Sequence, residues 1–138
     1  MSRKDFYHEH VVAALQTLGW RIVHENFELP FFDSRVKIDI LAEWVETDGT
    51  KTLVVVEVKS FRERKTYVSE LQKSLGQYLL YRDVLRSNGL LYQLLLAVPE
   101  SVFLTLFQDK VVKPLFARQQ VELITFNPVS QEIVRWNP

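Results

Sequence analysis

Two apolar, β-branched runs each carry one acid near the middle, and a tight turn stands between them. Lys37-Ile38-Asp39-Ile40-Leu41-Ala42 and Val54-Val55-Val56-Glu57-Val58-Lys59 read as strands. Thr47-Asp48-Gly49 between them is a strong hairpin signal. A three-residue loop with Gly49 left-handed sets Asp39 opposite Glu57 and Lys37 opposite Lys59, and alternation sends all four side chains to one face. Ile38, Ile40 and Ala42 with Val54, Val56 and Val58 then form the other face, the better core surface. A two-residue loop moves the pairing by one and sets Asp39 opposite Val58. A carboxylate inside a strand of Val and Ile loses hydration, at a cost of several kcal/mol without a compensating partner.

The remaining chain supports one compact domain over residues 1–138, long enough to bury a core. Seventeen Lys and Arg balance seventeen Asp and Glu, so any affinity for nucleic acid must come from local patches and not a global field. No cysteine is present, which excludes disulfides and thiolate metal sites and fits a reducing, cytoplasmic setting. No apolar stretch approaches the ~20 residues of a membrane helix, so no membrane role is expected. Met1-Ser2-Arg3-Lys4-Asp5 leads into an amphipathic helix and not a signal-peptide core.

The periodicities alternate. Residues 5–18 carry Phe6, Val11, Ala14, Leu15 and Leu18 at helical spacing before Gly19, and residues 20–29 alternate as a strand ended by Pro30. Asp33-Ser34-Arg35 reads as a turn, followed by strands over 36–46 and 53–59. A long helix over 67–86 presents Leu71, Leu75, Tyr78, Leu79, Arg82 and Leu85. A strand over 90–98 is cut off by Pro99, one or two short helices occupy 100–118, and strands over 121–126 and 132–136 form a hairpin around Asn127-Pro128. The order α-β-β-β-α-β-(α)-β-β predicts an α/β (α+β) fold with a mixed central sheet flanked by helices.

Asp39 and Glu57 on one face, with Lys59 two residues beyond, suit a cation that activates water. Mg2+, or Mn2+ in its place, takes a few carboxylates and completes its shell with water and phosphate oxygens. The backbone carbonyl of Val58 adds a third ligand, and Lys59 sits where it orients the attacking water or offsets developing charge. The alternative is plain ion pairing of Asp39 and Glu57 with Lys37 and Lys59 on a surface face. His8 and His10, two apart on a helix, point to different faces and do not form a joint ligand set. Trp44 and Trp136 read as packing residues, and Tyr78 and Tyr81 as core aromatics with hydroxyls at the edge.

Asp39 followed by Glu57-Val58-Lys59 resembles the D…(D/E)xK motif of the PD-(D/E)xK nuclease superfamily, with Ile38 where the motif has Pro. That resemblance implies a restriction-endonuclease-like core and a catalytic set of Asp39, Glu57, Lys59 and Gln77. It also implies Glu9 on the first helix as a further metal ligand. Gln77-Tyr78-Leu79-Leu80-Tyr81 resembles the Q-x3-Y element of some branches, with Gln77 turned toward the site. On such a fold Arg62, Arg64, Lys65 and Lys73 would contact DNA phosphates; otherwise they are a solvated charge run. At a finer level residues 37–43, 57–61, 75–78, 96–99 and 133–136 resemble the XisH family, controlling factors for excision of the fdxN element. The resemblance implies DNA rearrangement beside a site-specific recombinase and an XisI-like small partner protein. Nucleases that cut both strands often pair, so a homodimer is a further expectation, with the segments 123–126 and 133–136 as its surface or simply an edge hairpin. Two functions stay open: a metal-dependent DNA endonuclease, or a catalytically idle nuclease fold that escorts a recombinase.

Overall fold

The computed structural model describes residues 5–137; the lead-in 1–4, read above as non-signal sequence, lies outside them. Helix α1 (His8–Leu18) precedes strands β1 (Arg21–Phe31), β2 (Ser34–Val45) and β3 (Lys51–Val58). A 3-10 turn and the long α2 (Tyr67–Ser87) lead to β4 (Gln93–Pro99), then short α3 (Glu100–Phe103) and α4 (Val112–Arg118), and finally β5 (Leu123–Asn127) and β6 (Glu132–Trp136). The expected order is present.

All six strands form one mixed sheet in sequence order. β1–β2, β2–β3 and β5–β6 are antiparallel, while β3–β4 and β4–β5 are parallel. Parallel central strands are covered on both faces, which accounts for the unbroken apolar runs in β3 and β4. One face packs beneath α2, with Leu41, Val55, Leu94, Leu96 and Val98 against Tyr78, Tyr81, Val84 and Leu85. The other packs beneath α1, with Ile40, Ala42, Val54, Val56 and Ile124 against Val11 and Leu15. Each fully buried aliphatic side chain contributes about 1.5–3 kcal/mol. Among the described residues no helix is long and apolar enough to cross a membrane.

Several sequence expectations shift. α1 begins at His8 and not at Asp5, because Asp5 spends its carboxylate on the backbone N–H groups of Tyr7 and Ser60. Pro30 does not end β1; it pairs with Arg35 on the edge strand of the sheet, where proline withholds no needed donor. Asp33-Ser34-Arg35 is not a turn: Ser34 and Arg35 are already in β2, and Phe32-Asp33 alone joins Phe31 to Ser34. Phe32 takes the left-handed φ of 54° there, a conformation costing a bulky residue about 1–3 kcal/mol. Ile38 does not share a face with Ile40: it is buried beneath α2, whereas Ile40 is buried beneath α1. The strand therefore turns its faces over at Asp39. The terminal segments, by contrast, form the edge hairpin that one reading expected: β6 is the last strand of the sheet, with Ile124 and Phe126 of β5 fully buried and Ile133 and Trp136 packed beside them.

The β2–β3 turn matches its expectation. Pairing runs from Ile40↔Val56 to Val45↔Lys51. Glu46 then closes the loop by donating to the Thr50 carbonyl at 2.8 Å, and Gly49 has φ 88°.

Candidate functional site

The β2–β3 ladder stops at Ile40↔Val56, one step short of the two acids. Beyond that point side chains replace the ladder. Val58 N–H donates to Asp39 Oδ2 at 2.7 Å, and Asp39 N–H donates to Glu57 Oε1 at 3.3 Å. Each carboxylate thus takes a backbone donor left free by the parting strands, which removes part of its burial cost. β3 continues along β4, where Lys59 N–H donates to the Ala97 carbonyl at 3.0 Å, while β2 continues along β1. The divergence opens a crevice at the carboxyl end of β3, the position where open α/β sheets usually bind ligands.

That crevice is a cavity of about 170 Å³ lined by Asp5, Asn26, Lys37, Asp39, Glu57, Val58, Lys59, Gln77 and Tyr81. Asn26, with a left-handed φ of 54°, lies between the pairs Glu25↔Ile40 and Phe27↔Ile38, so β1 is irregular where β2 turns over. On the far side Phe61 takes φ 48° while buried against Tyr67 and Phe107. That bend anchors the chain two residues after Lys59.

Glu57 is only 5 % exposed, and burial followed by the charge of Asp39 pushes its pKa up to about 8. The Lys59 ammonium, 3.6 Å from Glu57 Oε2, opposes this without cancelling it. Burial likewise raises Asp5, against the pull of the Tyr7 and Ser60 N–H groups. Burial, then Glu57 and Asp39, hold the Tyr81 hydroxyl protonated up to about 12. Gln77 reaches the cavity from α2, and its Oε1 is buried without a hydrogen-bond partner. Lys37 lines the cavity too, but its ammonium pairs with Glu28 at 3.6 Å and not with Asp39.

The residues present fit a divalent cation. Two adjoining carboxylates, one holding its proton up to about 8 through burial and then its neighbour's charge, are what a cation in place of the proton would relieve. An orphaned buried carbonyl oxygen on Gln77 faces the same space and suits a bound water. Asp39, Glu57 and the Val58 backbone would hold such an ion.

Glu9 falls elsewhere. It does not line the cavity but groups with His8 and Glu25, the one His, Asp and Glu trio among the described residues with ligand atoms within 4.8 Å of one another. The buried His8 meets Glu25 through Nε2 at 2.6 Å. Asp5 is the N-terminal acid at the cavity instead. Its position three residues before α1 hid it, since a helix starting at Asp5 would have turned it with the helix.

Of the basic residues, Arg62 and Lys73 line an adjoining groove of about 470 Å³ that shares Asp5 with the acidic cavity. The Arg62 guanidinium lies 3.5 Å over the Phe6 ring. Arg64 and Lys65 stand exposed on the 3-10 turn before α2, and Lys65 pairs with Glu63 at 3.4 Å. Tyr78 is a core residue, donating to the Leu94 carbonyl and accepting from Glu122 N–H. Tyr81 is buried, as its reading as a core aromatic has it, and is also part of the cavity wall. Trp136 stacks on Trp20 at 5.3 Å, and Trp20 meets Trp44 at 5.8 Å.

Residues 1–134 match the family model described as XisH protein. Two solved structures are similar along nearly the whole chain. An XisH family protein from Nostoc punctiforme PCC 73102 is 34 % identical with a TM-score of 0.84, covering 97 % of this chain and 100 % of that one. An fdxN element excision controlling factor protein from Anabaena variabilis is 32 % identical with a TM-score of 0.84, covering 96 % and 98 %. No curated protein matches the chain.

Proposed function

The chain belongs to the XisH family, and from that premise we propose that it controls excision of a DNA element through metal-dependent cleavage of DNA phosphodiesters. The observation that carries the reading is the pairing of buried Glu57 with Asp39 in one crevice, beside Lys59 and the orphaned Gln77 carbonyl. The set has the acid, acid and lysine order of the PD-(D/E)xK nucleases. A bound Mg2+ or Mn2+ would supply an activated water and offset charge on the phosphate. Asp39, fixed by the Val58 N–H, and Glu57 would hold the ion. Lys59 keeps its ammonium beside Glu57, where it orients the water or stabilises the charge that develops on phosphorus-bound oxygen. Tyr81, protonated throughout the working pH range, offers a donor to the same oxygens. Arg62 and Lys73 in the adjoining groove, with Arg64 and Lys65 beside it, lie where the flanking backbone would run.

The test is cleavage of supercoiled and relaxed DNA in Mg2+ and Mn2+, with Mn2+ binding followed by calorimetry. The expected result is nicking or linearisation that Asp39→Ala and Glu57→Ala each reduce at least about 100-fold, the scale of a lost catalytic electrostatic group. A protein that leaves every DNA form intact and binds no Mn2+ contradicts the reading.

The Anabaena relative is a controlling factor of fdxN element excision, and this favours a second reading. The fold would then escort a site-specific recombinase through a small XisI-like partner and cut nothing. Excision in cells separates the two: a folded double variant Asp39→Ala, Glu57→Ala that still supports excision selects the escort role.

A further inference from the structure

We propose that the tip of the β1–β2 hairpin contacts DNA, with Phe32 stacking on a base beyond the reacting phosphate; this rests on DNA being the substrate. β2 pairs with β3 only from Ile40 onward, so residues 34–39 and their β1 partners extend past the central strands as a two-stranded arm. The arm's base forms one wall of the acidic crevice through Asn26, Lys37 and Asp39. Its middle is braced by the Arg35–Glu28 pair at 2.9 Å and by Lys37–Glu28. At its end Phe32 is 92 % exposed and Phe31 half-exposed beside it.

Exposure alone would mean little, since Leu91 and Val129 are equally bare. Phe32 differs because it also holds a left-handed φ of 54°. Phe61 carries similar strain, but its ring is buried and packs against Tyr67 and Phe107, so the core compensates for it. Among the described residues no packing compensates Phe32; Gln120 and Gln131 share its left-handed φ in exposed turns but carry no apolar ring. A glycine would suit that turn better on every structural count, and uncompensated strain of this kind points to function. A flat π face on a braced arm suits a base, because stacking tolerates any sequence and needs no hydrogen-bond partner. Seven residues of strand place the tip roughly 23 Å from Asp39, at ~3.3 Å per residue. That span corresponds to about seven base steps at ~3.4 Å each.

Two variants test this. Phe32→Gly should bind a fluorescein-labelled 30-base-pair duplex carrying one extrahelical adenine about 5-fold or more weakly in anisotropy titrations, with melting temperature unchanged or raised. In Phe32→Trp, the emission in excess of the wild-type signal from Trp20, Trp44 and Trp136 should be quenched as that duplex is added. Wild-type affinity in the glycine variant, or an unquenched tryptophan signal, overturns the proposal. So does a loss of self-association by the glycine variant in light scattering with DNA binding intact, which would make the tip a protein contact. Both measurements are made in EDTA, so they read the arm whether or not the crevice cuts DNA. Failure of cleavage alone leaves the stacking result standing, and failure of stacking leaves cleavage standing.

Discussion

Glu57 holds a carboxyl group whose ordinary pKa of 4.5 is pushed up to about 8 by burial and by Asp39. The folded protein therefore binds this proton more tightly than the unfolded chain does. Between pH 4.5 and about 8 the unfolded chain gives the proton up first, so this group's contribution to stability falls as pH rises through that window and is flat above it. Without metal, the melting temperature is expected to decline from pH 5 to pH 8, and Glu57→Gln to flatten that decline; scanning calorimetry reads both. Mn2+ should raise the melting temperature more at pH 8 than at pH 5, because it replaces a proton held less often there. An equal rise at both values would place the ion somewhere other than Glu57. Tyr81→Phe should keep Mn2+ affinity while slowing cleavage, a separation that single-turnover kinetics with saturating metal can resolve.

The turn elements carry their own consequences. Gly19 ends α1 at φ 106°, and a Cβ there would lie 2.9 Å from a ring carbon of Trp44. That ring is held by Trp20, which is itself stacked on Trp136, so it has little freedom to retreat. Gly49, at φ 88°, has nothing within 4 Å of the same added atom. Gly19→Ala is therefore expected to cost about 2 kcal/mol or more from strain and overpacking together, and Gly49→Ala only about 1 kcal/mol from conformation alone. Urea denaturation of the two variants measures the difference. Gly49 also sets the register that brings Asp39 level with Glu57. Deleting one residue of Thr47-Asp48-Gly49 should abolish Mn2+ binding while leaving much of the fold, as calorimetry beside circular dichroism would record.

For the molecule as a whole, the sheet is sandwiched and not one-sided. Residues 54–58 and 94–99 are buried throughout, beneath α1 on one face and α2 on the other. Amide exchange should be slowest in β3 and β4, and the outer half of the β1–β2 hairpin should exchange far sooner, since β2 has no second neighbour before Ile40. Comparable protection in the arm and in β3 would mean that the arm is covered in solution.

Local patterning carried most of the fold and the heart of the site. Alternation, a left-handed glycine and a three-residue loop determine strand pairing through short-range geometry, so Asp39, Glu57 and Lys59 could be brought together from the chain alone. Gln77 and Tyr81 were within reach only through the resemblance to the Q-x3-Y element, and a helix that repeats every 3.6 residues then keeps both on one face. Other features were decided by packing between distant segments. Asp5 entered the crevice by capping Tyr7 and Ser60, 55 residues apart from the latter, and Ile38 changed faces because two strands part at a pair of acids. The arm and its exposed Phe32 arose from where β3 stops pairing. Contacts of that range depend on which surfaces meet, and no periodicity in a single segment encodes them.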